Sequence, residues 1–162
     1  MQKINASYMR YAVSLTGNIV DAEDIINSSF ESILKTYGED KINIESLMIK
    51  TIYRKFIDKT RSDKKFASNV DISDLPIIDE TKNAEEEIFD KEKEMAIKEK
   101  LKKTLDCLKT LNDKQRSIVS LNCIENKKYS EIAKIMDMPI GTVMSTLSRG
   151  RLAIADCVKN YD

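Results

Sequence analysis

Apolar residues recur along this chain mainly at intervals of three and four, the period of a helix with one buried face. Ile4, Tyr8, Ala12 and Leu15 form a first stripe, and Gly17-Asn18 ends it where a left-handed residue is needed. A second stripe runs through Ala22, Ile25, Ile26, Ser29, Phe30, Ile33 and Leu34 to Gly38, with Asp21 placed to cap it. After a polar loop, Leu47, Met48, Ile52, Phe56 and Ile57 mark a third helix that runs into basic residues ending at Lys65. Residues 66–83 lose the period and contain Pro76, as a linker would. From Asn83, with Glu86 three residues on, a charged helix begins whose apolar positions are Ile97, Leu101, Leu105 and Leu108. Asn112 and Gln115 mark another start, leading to Ile118, Val119 and Leu121, with Asn126 as the turn residue after it. The pattern predicts an all-α protein of two small helical domains, 1–65 and 95–162, joined by a linker over 66–94.

The segment from Tyr129 to Val158 has the anatomy of a helix-turn-helix. Ser130 can cap its first helix, with Glu131 favourable in the first turn and Ile132, Ala133 and Ile135 turned inward. Asp137-Met138-Pro139 makes the turn, and Val143 and Leu147 anchor the second helix. Thr142, Met144, Ser145, Ser148 and Arg149 are left on the outer face, with Arg151 just beyond. Hydroxyls, an apolar group and guanidinium groups suit a helix in the major groove of DNA. Ala133 and Gly141 are small enough to serve close packing instead.

Composition narrows the chemistry. Four Gly and two Pro among 162 residues agree with long helices. The absence of His removes the commonest general base and metal ligand, so Ser-His-Asp, Cys-His and His-bearing zinc sites are excluded. No glycine-rich phosphate loop is present either, so an enzyme is not expected and no cofactor is implied. Cys107, Cys123 and Cys157 are odd in number and widely spaced, which predicts reduced, buried, apolar-like residues in a cytoplasmic protein. Charges interrupt every long apolar run, so neither secretion nor membrane insertion is expected.

The net charge is zero, but the distribution is not flat. Residues 1–65 carry +2, 66–94 carry −7 and 95–162 carry +5. Most of the first excess lies in residues 50–65, where Lys50, Arg54, Lys55, Lys59, Arg61, Lys64 and Lys65 face only Asp58 and Asp63. Two basic regions around an acidic middle are the layout of two contacts with a polyanion, or of three solvated faces.

Leu111-Asn112-Asp113-Lys114-Gln115-Arg116, Ser130-Glu131-Ile132-Ala133, Gly141-Thr142-Val143-Met144-Ser145 and Ser148-Arg149-Gly150-Arg151 together resemble the fourth conserved region of bacterial sigma factors. The compact extracytoplasmic-function group fits best. Leu15-Thr16-Gly17-Asn18 with Asp21-Ala22-Glu23-Asp24-Ile25-Ile26-Asn27 and Phe30 resembles that group's second region, and Phe56-Ile57-Asp58 with Arg61 resembles the end of its promoter-opening helix. The resemblance implies a sigma factor that binds core RNA polymerase and promoter DNA, with an anti-sigma factor as a further partner. It implies upstream-element contacts at Thr142, Met144, Ser145, Ser148, Arg149 and Arg151. Downstream-element contacts fall at Lys41, Asn43, Lys50, Tyr53, Arg54 and Arg61, although Tyr53 equally suits a core. Polymerase contacts fall at Asp21, Asp24 and Asn27, where capping also accounts for an Asp. Asn27 stands where the group usually has Gln, Asn112 where it has Pro, and Thr146 replaces a frequent Arg of the reading helix. A helix-turn-helix regulator, or a sigma-like subunit without promoter melting, is the alternative.

Overall fold

The computed structural model describes residues 5–38, 44–67 and 91–161. Among them every regular element is helical: α1 (Ala6–Thr16), α2 (Ile19–Tyr37), α3 (Ile44–Ala67), α4 (Lys91–Thr110), α5 (Asp113–Val119), a π-helical turn (Ser120–Ile124), α6 (Tyr129–Met136) and α7 (Ile140–Lys159). None of these helices is long and apolar enough to cross a membrane. Ile4, Lys41, Asn43, residues 68–90 of the expected 66–94 linker and the expected helix start at Asn83 lie outside the described residues.

Local chemistry sets most of the ends. Gly17 takes φ 82°, a left-handed conformation open to glycine, and its amide closes α1 on the Val13 carbonyl at 2.7 Å. The cap of α2 is Asn18 rather than Asp21. Asn18 Oδ1 accepts from the Asp21 amide and Asn18 Nδ2 donates to the Asp21 carboxylate, both at 2.8 Å. Asp21 thus sits in the first turn, where a carboxylate meets the positive end of the helix. Asn112 caps α5 as expected, with Gln115 completing a capping box. On α6 the start falls before Ser130: Glu131 reaches back to the Lys128 amide at 2.7 Å, so the carboxylate rather than the serine hydroxyl satisfies the free donor.

α1 packs on α2 and α3, while α7 packs on α4, α5 and α6. The two groups also meet, because α1 touches α4, α5 and the π turn, and α3 touches α6. Their buried side chains form one continuous cluster, from Tyr11, Leu15, Ile26 and Ile52 to Ile118, Leu121, Ile132, Val143 and Leu147. Polar groups stitch the seam. The hydroxyls of Tyr11 and Ser117 share a hydrogen bond of 2.6 Å inside the core, and burial raises the Tyr11 pKa. Glu125, its side chain 3% exposed, receives Arg10 Nε at 3.0 Å and Nη2 at 3.1 Å and also bonds the Ser7 hydroxyl. A carboxylate buried this deeply is tolerated because the forked guanidinium and the hydroxyl satisfy it.

Arg116 does more. It donates to the carbonyls of Leu15 at 2.7 Å, Leu108 at 2.9 Å, Lys109 at 2.9 Å and Leu111 at 3.2 Å, and it lies 5.7 Å from the Phe56 ring centre. One planar group thereby serves the ends of both α1 and α4, where the last carbonyls have no further helical turn to bond them.

Three further expectations change. Cys107 and Cys157 form a disulfide between α4 and α7, with Cα atoms 5.7 Å apart, and Cys123 is exposed. Distance along the chain concealed a pair that helix packing brings together. Ile97 and Leu101 are 66% and 58% exposed, so the apolar face of α4 is buried only from Leu105 onward. Gly141 has open space where a Cβ would stand, whereas a Cβ on Gly150 would meet Val119 at 2.7 Å. The close approach of α5 and α7 therefore depends on Gly150, and Gly141 is free of that constraint.

Arg116→Ala is expected to cost about 3 kcal/mol, because several hydrogen bonds from a charged donor to partly buried carbonyls are lost at once. Arg116→Lys should recover less than half of this, since an ammonium cannot reproduce the planar fork. Urea melts of the two variants check both values.

Candidate nucleic-acid interface

The helix-turn-helix comprises α6, a tight turn and α7. Asp137 adopts φ 56°, and the Met138 amide bonds the Ala133 carbonyl at 3.0 Å. Pro139 follows, its carbonyl accepting from the Thr142 and Val143 amides as α7 begins. Val143 and Leu147 are buried at 0% and 2%, so α7 can roll in neither direction without exposing one of them. That fixes which side chains face out.

Met144, Ser145, Ser148, Arg149 and Arg151 are exposed, and Thr142 is half-buried at the edge. Thr146 is buried at 6%, so the residue standing where an Arg is frequent lies on the inner face. Arg151 is partly engaged: its Nη2 donates to Asn122 Oδ1 at 2.7 Å. The π turn presents that oxygen, since Asn122 is tied down through Nδ2 to the Lys127 carbonyl at 3.0 Å.

On α3, Arg54 and Arg61 are exposed, while Lys50 and Tyr53 are half-buried. Lys50 Nζ lies 3.7 Å from Asp137 at the turn of the helix-turn-helix. Burial, and then the charge of Asp113, raises the Tyr53 pKa. Lys59, one of the cations of the basic stretch over residues 50–65, bonds Asp21. On α2, Asp24 and Asn27 are exposed on the side away from the core, but Asp21 is half-buried against Lys59. The sequence-selected sets are thus brought to three surfaces, with α3 partly turned toward α6.

Several side chains at these surfaces escaped the sequence reading. Ile140, Leu152 and Tyr129 are 48%, 64% and 36% exposed beside Met144. Their signal was present, since Ile140, Met144 and Leu152 recur at multiples of four, but an apolar repeat reads as a core stripe until the inner face is known. Glu125 and Arg10 carried no signal, because they lie 115 residues apart.

Asp21 makes one electrostatic consequence measurable. Its carboxyl is held below the ordinary 3.8 first by the hydrogen bond from Lys59 and then by that from Asn18, with burial opposing both. A depressed carboxylate contributes stability above its unfolded pKa and loses it as pH falls through the folded value. Asp21→Asn should therefore lower stability at neutral pH and flatten the fall in stability below about pH 4. Denaturant midpoints measured from neutral to acid pH give the slope, and an unaltered slope would remove Asp21 from the acid-sensitive groups.

Comparison with known proteins supplies the remaining findings. Residues 101–154 match the family model "Sigma-70, region 4". The chain is 27% identical over 159 residues to the ECF RNA polymerase sigma-E factor of Salmonella typhimurium strain LT2, spanning 94% of this chain and 83% of that protein. It is 26% identical, over the same span, to the ECF RNA polymerase sigma-E factor of Escherichia coli strain K12. In fold it is similar to the sigma factor RpoE of Bartonella quintana, solved in complex with the anti-sigma factor NepR. The TM-score is 0.65 at 19% identity, over 95% of this chain and 91% of that one.

Proposed function

We propose that this chain is a member of the extracytoplasmic-function group of the sigma-70 family and that it directs core RNA polymerase to promoters carrying two separately read elements. The observation that carries the reading is the outer face of α7, where Ser145, Ser148 and Arg149 project from a helix locked by Val143 and Leu147. Arg149 reads a guanine in the upstream element through its bidentate fork, and the hydroxyls and Thr142 meet neighbouring bases and phosphates. The C-terminal unit of this division is residues 95–162, and the docking and opening unit is 1–65.

In that unit Asp24 and Asn27 meet the polymerase, with Asp21 held in place by Lys59 and Asn18. Arg54 and Arg61 offer cationic contacts to the separated downstream strands, joined by Lys50, Tyr53, Lys41 and Asn43. The chain does no covalent chemistry in this role. It holds DNA in register while the polymerase catalyses. An anti-sigma factor is a further partner, supported by the complex in which the Bartonella relative was solved.

Purified protein mixed with core polymerase is expected to form a complex and to start transcription at specific sites in a promoter library. No binding to core would overturn the proposal. Asp24→Arg should weaken that complex without weakening the fold, because Asp24 is exposed and unburdened by core packing. Arg149→Ala should cost about 1 to 3 kcal/mol at one upstream base position. Band-shift titrations on single-base variants of the element read the second effect, and equal losses on all sequences would leave Arg149 as a phosphate clamp.

A further inference from the structure

The outer face of α7 is not uniformly polar. Met144, Ser148 and Leu152 follow one another at intervals of four, so they form one line along the helix. With Tyr129 at the start of α6, Leu147 and Arg151 they enclose a concavity of about 260 Å³. Leu147, 2% exposed, is the buried member of that set, whereas Met144 and Leu152 are 51% and 64% exposed. Arg149 follows Met144 by five residues, which places it about 140° round the helix on the other flank. The reading helix therefore offers two chemically different edges, one carrying Arg149 and one mainly apolar, bordered by Arg151.

Water is a poor neighbour for the apolar edge, so an apolar group of the bound DNA gains by filling it. The major groove offers one such group, the C5-methyl of thymine, with the O4 acceptor beside it. Ser148 stands between Met144 and Leu152 with a hydroxyl able to donate to that oxygen. Arg151, tethered to Asn122, holds its charge at the rim, where a phosphate would lie.

We propose that this slot takes the methyl group of a thymine, so that the upstream element combines a guanine under Arg149 with thymine under the edge formed by Met144, Ser148 and Leu152. The inference rests on α7 reading the upstream element and adds the chemistry of a second base. Burying one methyl group sets the scale at about a fourfold change in affinity.

The test uses holoenzyme assembled from the full chain and core polymerase, with an upstream element selected from randomised duplexes. Each thymine of the selected element is then replaced singly by deoxyuridine, which lacks only the methyl. At one position or more the wild type should bind about fourfold more weakly, and Met144→Ala and Leu152→Ala should bind the thymine and deoxyuridine duplexes alike. Both residues are exposed, so both variants should melt with the wild type, and Met144→Gln offers a second replacement of similar length. Selection of an element without thymine, or deoxyuridine tolerated throughout while Arg149→Ala still loses guanine discrimination, would overturn the slot and leave promoter reading intact. Failure to select any element at all would overturn the underlying reading instead.

Discussion

The Arg116 guanidinium is the contact on which the relation between the helices rests. Helices expose carbonyls at their C-terminal ends and carry partial negative charge there. Arg116 projects from α5 into the place where α1 and α4 both end, and its four carbonyl partners come from Leu15, Leu108, Lys109 and Leu111. A cation is favoured by both helix ends, and a planar fork can satisfy several acceptors where an ammonium would meet fewer. With α5 set against α1 and α4, the approach at Gly150 sets α7 against α5. Val143 and Leu147 then fix the roll of α7. The outer face of α7 thus depends on a residue that lies outside it.

The same packing redistributes the charge. Lys59 is taken up by Asp21, Lys127 by Glu45 and Arg10 by Glu125, and Lys50 stands near Asp137. Cations counted by segment are therefore not all available to a polyanion. Arg54, Arg61 and Arg149 are exposed, with Arg151 held at the edge by Asn122. A zero net charge is compatible with nucleic-acid binding when internal pairing removes some charges and leaves others concentrated on separate faces.

Much of the fold was legible because it is local. The left-handed end at Gly17, the Asn112 cap with Gln115 and the inward pair Val143 and Leu147 follow from spacing and residue type. The start of α2 was less legible: Asn18 and Asp21 are both capping residues, and the exposed Ile19 and Val20 between them hide the first turn from a search for a buried stripe. Of the candidate sites, the outward set on α7 could be read once the inner face was chosen. The engagement of Asp21 by Lys59 could not, because nothing in either segment points to the other.

By itself, the amino-acid order determined that the described residues are helical, where α1 and α2 end and α5 begins, and that the C-terminal part forms a helix-turn-helix. Capping, backbone freedom and the helical period act over a few residues and are written in neighbouring positions. Tertiary structure alone decided that Cys107 meets Cys157, that Gly150 rather than Gly141 allows the close approach, and that Arg116 joins α1 to α4. It also decided which cations remain outward and that Tyr129 closes a slot with Met144 and Leu152. These outcomes depend on residues up to 115 positions apart, and the packing of shared apolar faces, not local preference, brings such residues within bonding distance.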